Sequence, residues 1–333
     1  MASDPNQFLI DYYAAAQKRL QAMILNPTGG TEASQEFRRA RAASLISQVD
    51  QLLLQVDQTA ATWTGNTIPA EYSAGRKQAD AQIAEWGIDN PGGPTGSLSL
   101  IDRRSIEVLA RDSAGDLRKA SKGMGDNVKS LLREMAEKKI SKQDVNAIIA
   151  GGVIEGTPAA TIRTLRDRLI QVNDGRLVPI IDKNGDTMVL DAAKYAKMVV
   201  VTKTREAVQT GRHERLLSKN IRLVSITGRL SKNFCSAFLG QVFSIDGESD
   251  QYPALDSLPG GGPPFHVQCS KSTRAYIPAL ASDEQKEVAD GVADAQKLIG
   301  MTQAQAQRAF LDLQLHGQVK QAYSKLTPIQ EAA

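Results

Sequence analysis

The chain has 333 residues, enough for two domains, and its 41% hydrophobic and 23% charged residues form an ordinary globular balance. Aromatic residues make up only 5% and the net charge is +3, so some helices are expected to need partner subunits, and charge alone argues for neither nucleic acid nor membrane. Two cysteines exclude a disulfide scaffold, Met1–Asn6 carries Asp4 and no basic segment ahead of an apolar run, and no stretch approaches the roughly 18 apolar residues of a membrane span.

The first half reads as helix. Asn6–Leu25 carries the stripe Phe8, Leu9, Tyr12, Tyr13, Ala16 and Leu20 and stops at Asn26-Pro27-Thr28-Gly29-Gly30. A second helix is expected over Thr31–Ala61, on Phe37, Ala40, Ser44, Ile46, Val49, Leu53 and Val56, and a third, weaker one over Tyr72–Trp86. Gly87–Ser97 is a Pro- and Gly-rich loop. Leu98–Lys139 resumes a long helical pattern, and Gly115, Gly123 and Gly125 predict a break or bend in it, since each costs roughly 1 kcal/mol against alanine.

Two short capped helices, Ser141–Ala150 and Thr157–Val172, follow as a helical hairpin. The pair has the outline of a helix-turn-helix, but Asp167 dilutes Arg163, Arg166 and Arg168, and no base-reading pattern accompanies them. Arg176–Ile181 and Thr187–Leu190 flank an Asn-Gly turn and predict a β-hairpin. Asp191–Asn220 is a long helix, Ile221–Thr227, Gln241–Ile245 and Lys271–Ile277 are strands, and Gly247–Pro264 is a loop. Capping boxes at Ser282/Gln285 and Thr302/Gln305 open helices over Asp283–Ile299 and Gln303–Gln318. The expected class is α+β: an elongated helical region over 1–140, a helical hairpin and β-hairpin over 141–190, a small mixed domain over 191–280, and a helical extension over 281–333.

One constellation has chemical spacing. His266-x-x-Cys269 can project two ligands from one turn, and a hairpin can bring Cys235 alongside. Three ligands are one short of a closed zinc site, so packed thiols, zinc and a Cys235–Cys269 disulfide all stand as readings, with no cofactor as the default. A Cys-His nucleophile lacks an asparagine after Asn233 and any segment built as an oxyanion hole. Lys203, Arg205, Arg212 and Arg215 form a basic helix face, interleaved with Glu206 and Glu214. It reads first as a solvated face with internal ion pairs, with contact to DNA or a partner protein as the alternative. His213 and His316 read as surface residues.

The stretch Lys194–Ile277 resembles the minor head protein family typified by phage Mu protein F. Thr202-Lys203-Thr204-Arg205-Glu206 and Thr210-Gly211-Arg212 match its first helix, and Cys235 through Gly240-Gln241-Val242-Phe243 matches its cysteine turn and strand. Pro263-Pro264-Phe265-His266-Val267-Gln268-Cys269-Ser270-Lys271 matches its closing run. Phe238 and Lys271 stand where that family has further cysteines. The resemblance implies a non-enzymatic virion component inside the head of a tailed bacteriophage. It would bind the portal protein, with capsid or scaffolding protein and packaged DNA as further partners, and would assist head assembly and genome ejection. The alternatives are an ADP-ribosyltransferase-like effector, for which Glu-x-Glu is missing, and an ejection protein that binds DNA without sequence preference.

Overall fold

A computed structural model of the chain describes residues 4–25, 34–88, 98–137, 179–181, 187–189 and 192–323. The expected helical hairpin over 141–172 and the turn over 182–186 lie outside the described residues. The class is α+β, with a helical N-terminal half and a small antiparallel sheet. Among the described residues no helix is long and apolar enough to cross a membrane.

Three helices make up the N-terminal half: α1 (Pro5–Leu25), α2 (Gln35–Glu85) and α3 (Leu100–Ala136). Strands β1 (Pro179–Ile181) and β2 (Thr187–Val189) pair with each other and precede helix α4 (Ala192–Leu217). Strands β3 (Leu223–Thr227), β4 (Val242–Ser244) and β5 (Ser272–Ala275) form the second sheet. The chain then closes with α5 (Asp283–Ala289), α6 (Gln303–Asp312) and α7 (Leu315–Tyr323).

Two helical expectations are corrected. In place of the two helices expected over 31–61 and 72–86, the described residues form one 51-residue helix, α2, which spans Gln35–Glu85 and runs through Pro69. Proline removes one ladder donor and crowds the carbonyl four residues back, yet the helix continues on both sides of it. The glycines of α3 do not interrupt it. Gly125 is a packing position, because a Cβ there would lie 2.2 Å from Leu53 Cδ1.

The chain divides into two compact units, and α2, α3 and α4 each contribute to both. The first gathers α1, α2 up to Gly65, α3 from Asp112 and α4 up to Val200. Its core is a set of heptad-like stripes: Leu9, Tyr13, Ala16 and Leu20 from α1, Leu45, Val49, Leu52 and Val56 from α2, and Leu117, Met124, Val128 and Leu132 from α3. The spacing of three and four keeps each stripe on one face, while Phe8 and Phe37, counted in the expected stripes, face outward. Tyr13 carries its hydroxyl into this core and donates to the Leu117 carbonyl at 3.0 Å.

The second unit contains the rest of these three helices and all that follows α4. Helix α4 ends in a Schellman motif. Asn220 takes the left-handed conformation (φ 57°), its amide donates to Leu217 O, and Ile221 N donates to Leu216 O, each at 2.9 Å. The chain is thereby turned directly into β3, the middle strand of the order β4-β3-β5, antiparallel to both neighbours. Val224 pairs with Phe243 on one side and Ala275 on the other. Val224 and Ile226 point into a core shared with Phe238, Phe243, Phe265 and Phe310. Both predicted capping boxes form, but α5 stops at Ala289, before the left-handed Gly291, and the expected long helix continues only as the 3₁₀ segment Ala293–Leu298.

Candidate functional site

The site is built on one face of α4. In unit two α2 and α4 cross with their backbones in contact. A Cβ at Gly75 would lie 1.9 Å from Val208 O, and one at Gly211 would lie 2.1 Å from Tyr72 O. Only glycine on both helices permits that approach. Around the crossing, Tyr72 donates to Asp102 Oδ1 at 2.7 Å, Arg76 pairs with Asp102 Oδ2, and the Ser99 amide donates to the same carboxylate at 2.7 Å. Arg215 pairs with Asp80 at 2.6 Å, with both side chains largely buried.

Residues 205, 209, 212 and 213 recur at helical spacing, and the last three close the free edge of β5. Gln209 accepts from the Thr273 amide at 3.2 Å and from its hydroxyl at 2.7 Å, while its own amide donates to Ser272 Oγ at 2.6 Å. Arg212 donates to the Thr273 carbonyl and, at 3.2 Å, to Ser272 Oγ. His213 Nε2 lies 2.8 Å from Thr273 Oγ1. Farther along the strand, Gln82 of α2 accepts from Ala275 N at 3.0 Å. An edge strand that would otherwise offer unpaired backbone groups is thus saturated by side chains.

Ahead of β5, Arg205 reaches the turn that carries the cysteine and histidine and donates to the Cys269 carbonyl. That turn is closed by Cys269 N donating to His266 O at 3.0 Å, with Gln268 in the left-handed region (φ 57°). It holds His266 and Cys269 on one side. Cys235 arrives on the 3₁₀ turn Phe234–Phe238, which Ser236 Oγ fastens by accepting from Ser231 N at 2.8 Å. Cys235 Sγ lies 3.3 Å from His266 Nε2, and the ligand atoms of Cys235, His266 and Cys269 all lie within 4.8 Å of one another. His266 Nδ1 is 2.9 Å from the Val267 carbonyl, so the Nδ1–H tautomer leaves the Nε2 lone pair facing the sulfurs. Lys271 N donates to Cys269 Sγ at 3.5 Å.

Both thiols are free and buried. The neighbouring Cys269 sulfur, and then burial, push the Cys235 thiol up, while the bond from Cys235 and the His266 imidazole pull Cys269 well below the usual thiol range. Burial works to lower His266, but the Cys269 sulfur outweighs it and holds the ring above its usual value. Two adjacent buried thiolates repel, so without a cation the two thiols do not both ionise.

Several sequence expectations change here. Phe238, at a position where the family has a cysteine, packs as a ring, stacked on Phe265 at 5.4 Å and edge-on to Phe243 at 6.1 Å. Lys271 is 3% exposed, and its ammonium donates to the Arg229 carbonyl. The basic face of α4 is solvated only in part, with Arg205 exposed and Arg215 buried. Arg212 and Arg215 turn inward, Arg205 bonds the Cys269 carbonyl, and Lys203 pairs with Glu206 at 3.0 Å. His213, expected at the surface, is packed against β5, where burial and Arg212 lower its pKa to about 4. Gln209 and Gln82 belong to no motif, and only the polar spacing 205/209/212 marks the first of them in the sequence.

A thiol nucleophile must reach a substrate, and Cys235 and Cys269 are each 1% exposed. The cluster is suited to fastening or metal ligation rather than to attack. Compared with known proteins, the chain matches no family model, no curated protein and no solved structure.

Proposed function

We propose that this chain is a minor head protein of a tailed bacteriophage that binds the portal vertex inside the head and assists head assembly. One observation carries the reading. The short segments that resemble the Mu F-like family, separated by up to about sixty residues, satisfy one another's bonds in space: Arg205 and Arg212 of the helical motif bond the Cys269 carbonyl and the adjoining strand, and Cys235 meets His266. A chance match of scattered residues would not be expected to produce reciprocal partners. The sealed thiols and the inward-facing arginines support an assembly role over catalysis or DNA binding through this helix.

Quantitative mass spectrometry of purified virions of the encoding phage tests the proposal, together with co-purification alongside its portal protein. A fixed low copy number and retention with portal rings are expected. Absence from mature particles overturns the reading.

A further inference from the structure

We propose that Cys235, His266 and Cys269 form a structural zinc site, completed by one water, that ties the 3₁₀ turn after β3 to the turn before β5. The inference rests on the cluster alone and is independent of the phage reading. Zinc held at about 2.3 Å from sulfur and about 2.0–2.1 Å from nitrogen in a tetrahedron sets its ligands about 3.6–3.8 Å apart. Here the Cys235 sulfur and the imidazole nitrogen are 3.3 Å apart, and no pair in the trio exceeds 4.8 Å. An ion therefore seats with side-chain movements of about 1 Å or less, without refolding either turn.

The surroundings are those of a ligand shell. Metal-bound histidine donates its second ring N–H to a fixed acceptor, and His266 Nδ1 has the Val267 carbonyl at 2.9 Å. Sulfur carrying negative charge is steadied by N–H donors, and Cys269 accepts from Lys271 N. The cysteine turn is itself held, since Arg205 donates to the Cys269 carbonyl and Ser236 pins the 3₁₀ turn. Two sulfurs and one imidazole suit zinc over the oxygen-seeking divalent ions. Two thiolates also neutralise a dication, so a bound ion offsets the cost of burying both sulfurs in charged form. The sulfurs lie inside, whereas His266 is half-buried and the next two residues are exposed, so water completes the shell from that side.

The test uses the full chain, purified with reductant and without chelator, dialysed against metal-free buffer and assayed for metals by mass spectrometry. About one zinc ion per chain is expected. Cys235→Ser and His266→Gln should each lose it while keeping the far-ultraviolet helical signal, and His316→Gln should retain it. Should the variants fail to fold, cobalt(II) loaded into the intact chain decides the matter. A thiolate-to-cobalt charge-transfer band with the visible bands of tetrahedral cobalt is expected. Less than half an ion of zinc per chain, a different metal, a Cys235–Cys269 disulfide in its place, zinc retained by both ligand variants, or cobalt without the sulfur band would each overturn the proposal.

Discussion

Two glycines on helices of this protein should respond to alanine with opposite signs. Gly211 sits where α4 crosses α2, and a Cβ there would lie 2.1 Å from Tyr72 O and 2.9 Å from the Tyr72 carbonyl carbon. Ordinary contact begins near 3.4 Å, so the helices must separate by more than about 1 Å, and the atoms met are backbone rather than the end of a flexible side chain. Overpacking of this kind costs about 1–3 kcal/mol, and backbone obstruction puts Gly211→Ala at the upper end. The gain in helix propensity, about 1 kcal/mol, offsets part of that. A net loss of about 2 kcal/mol remains. The displaced residue is Tyr72, whose hydroxyl bonds Asp102 at 2.7 Å, so the disturbance reaches the buried network at the start of α3. Gly115, in the exposed middle of α3, has nothing within 4 Å of its added Cβ, and Gly115→Ala should stabilise by about 0.5–1 kcal/mol. Urea unfolding followed by circular dichroism at equal slopes separates the two variants. A Gly211→Ala protein as stable as the parent would refute the close crossing on which the placement of the α4 face depends.

Asp102→Asn should destabilise by about 3–5 kcal/mol, because it leaves Arg76 buried beside a neutral amide. Burial alone would raise the Asp102 pKa, but the bonds from Tyr72, Arg76 and Ser99 hold it below the usual aspartate range. Its stabilising contribution is accordingly complete above about pH 4 and is lost as pH falls through the depressed value, so the variant's stability should decline less steeply in acid titrations than the parent's. His213 follows a different window. Its folded pKa of about 4 lies below the ordinary 6.5, so the unfolded chain takes up the proton first, and stability should fall between about pH 6.5 and 4 by about 1–3 kcal/mol. In thermal melts across that range, His213→Gln should lose this part of the slope. An unchanged slope would place the ring in solvent.

Much of the architecture follows from periodicity, and the failures have definite causes. The three strands of the second sheet, the long helix before them and both C-terminal capping boxes were legible because alternation and Ser/Thr-x-x-Gln spacing are local signals. The α3 glycines misled because their local cost is judged in isolation. At Gly125 the missing methyl makes room for Leu53. Long-range packing settles such positions, and no window of sequence contains it. The Cys235–His266–Cys269 cluster was legible as a spacing, but its closure across 31 residues depends on two turns and a strand register.

The basic helix shows why residue counts could not locate the site's supporting side chains. From sequence, Lys203, Arg205, Arg212 and Arg215 differ only in position, and interleaved glutamates make solvation the natural reading. In the fold, Gly211 lets the backbones of α2 and α4 come into contact beside these side chains. Arg215 then meets Asp80, Arg212 meets the Thr273 carbonyl at the open edge of β5, and Arg205, two turns earlier, meets the Cys269 carbonyl. A guanidinium serves here because its several N–H groups can satisfy a strand carbonyl and a second acceptor together, as Arg212 does with Thr273 and Gln78. Lysine at Arg212 would keep the charge but not the fork that reaches the Thr273 carbonyl and Gln78 together. The Thr-Gly-Arg element is therefore a single device: the glycine sets the distance, and the arginine spans what remains of it to hold the strand that follows the cysteine turn.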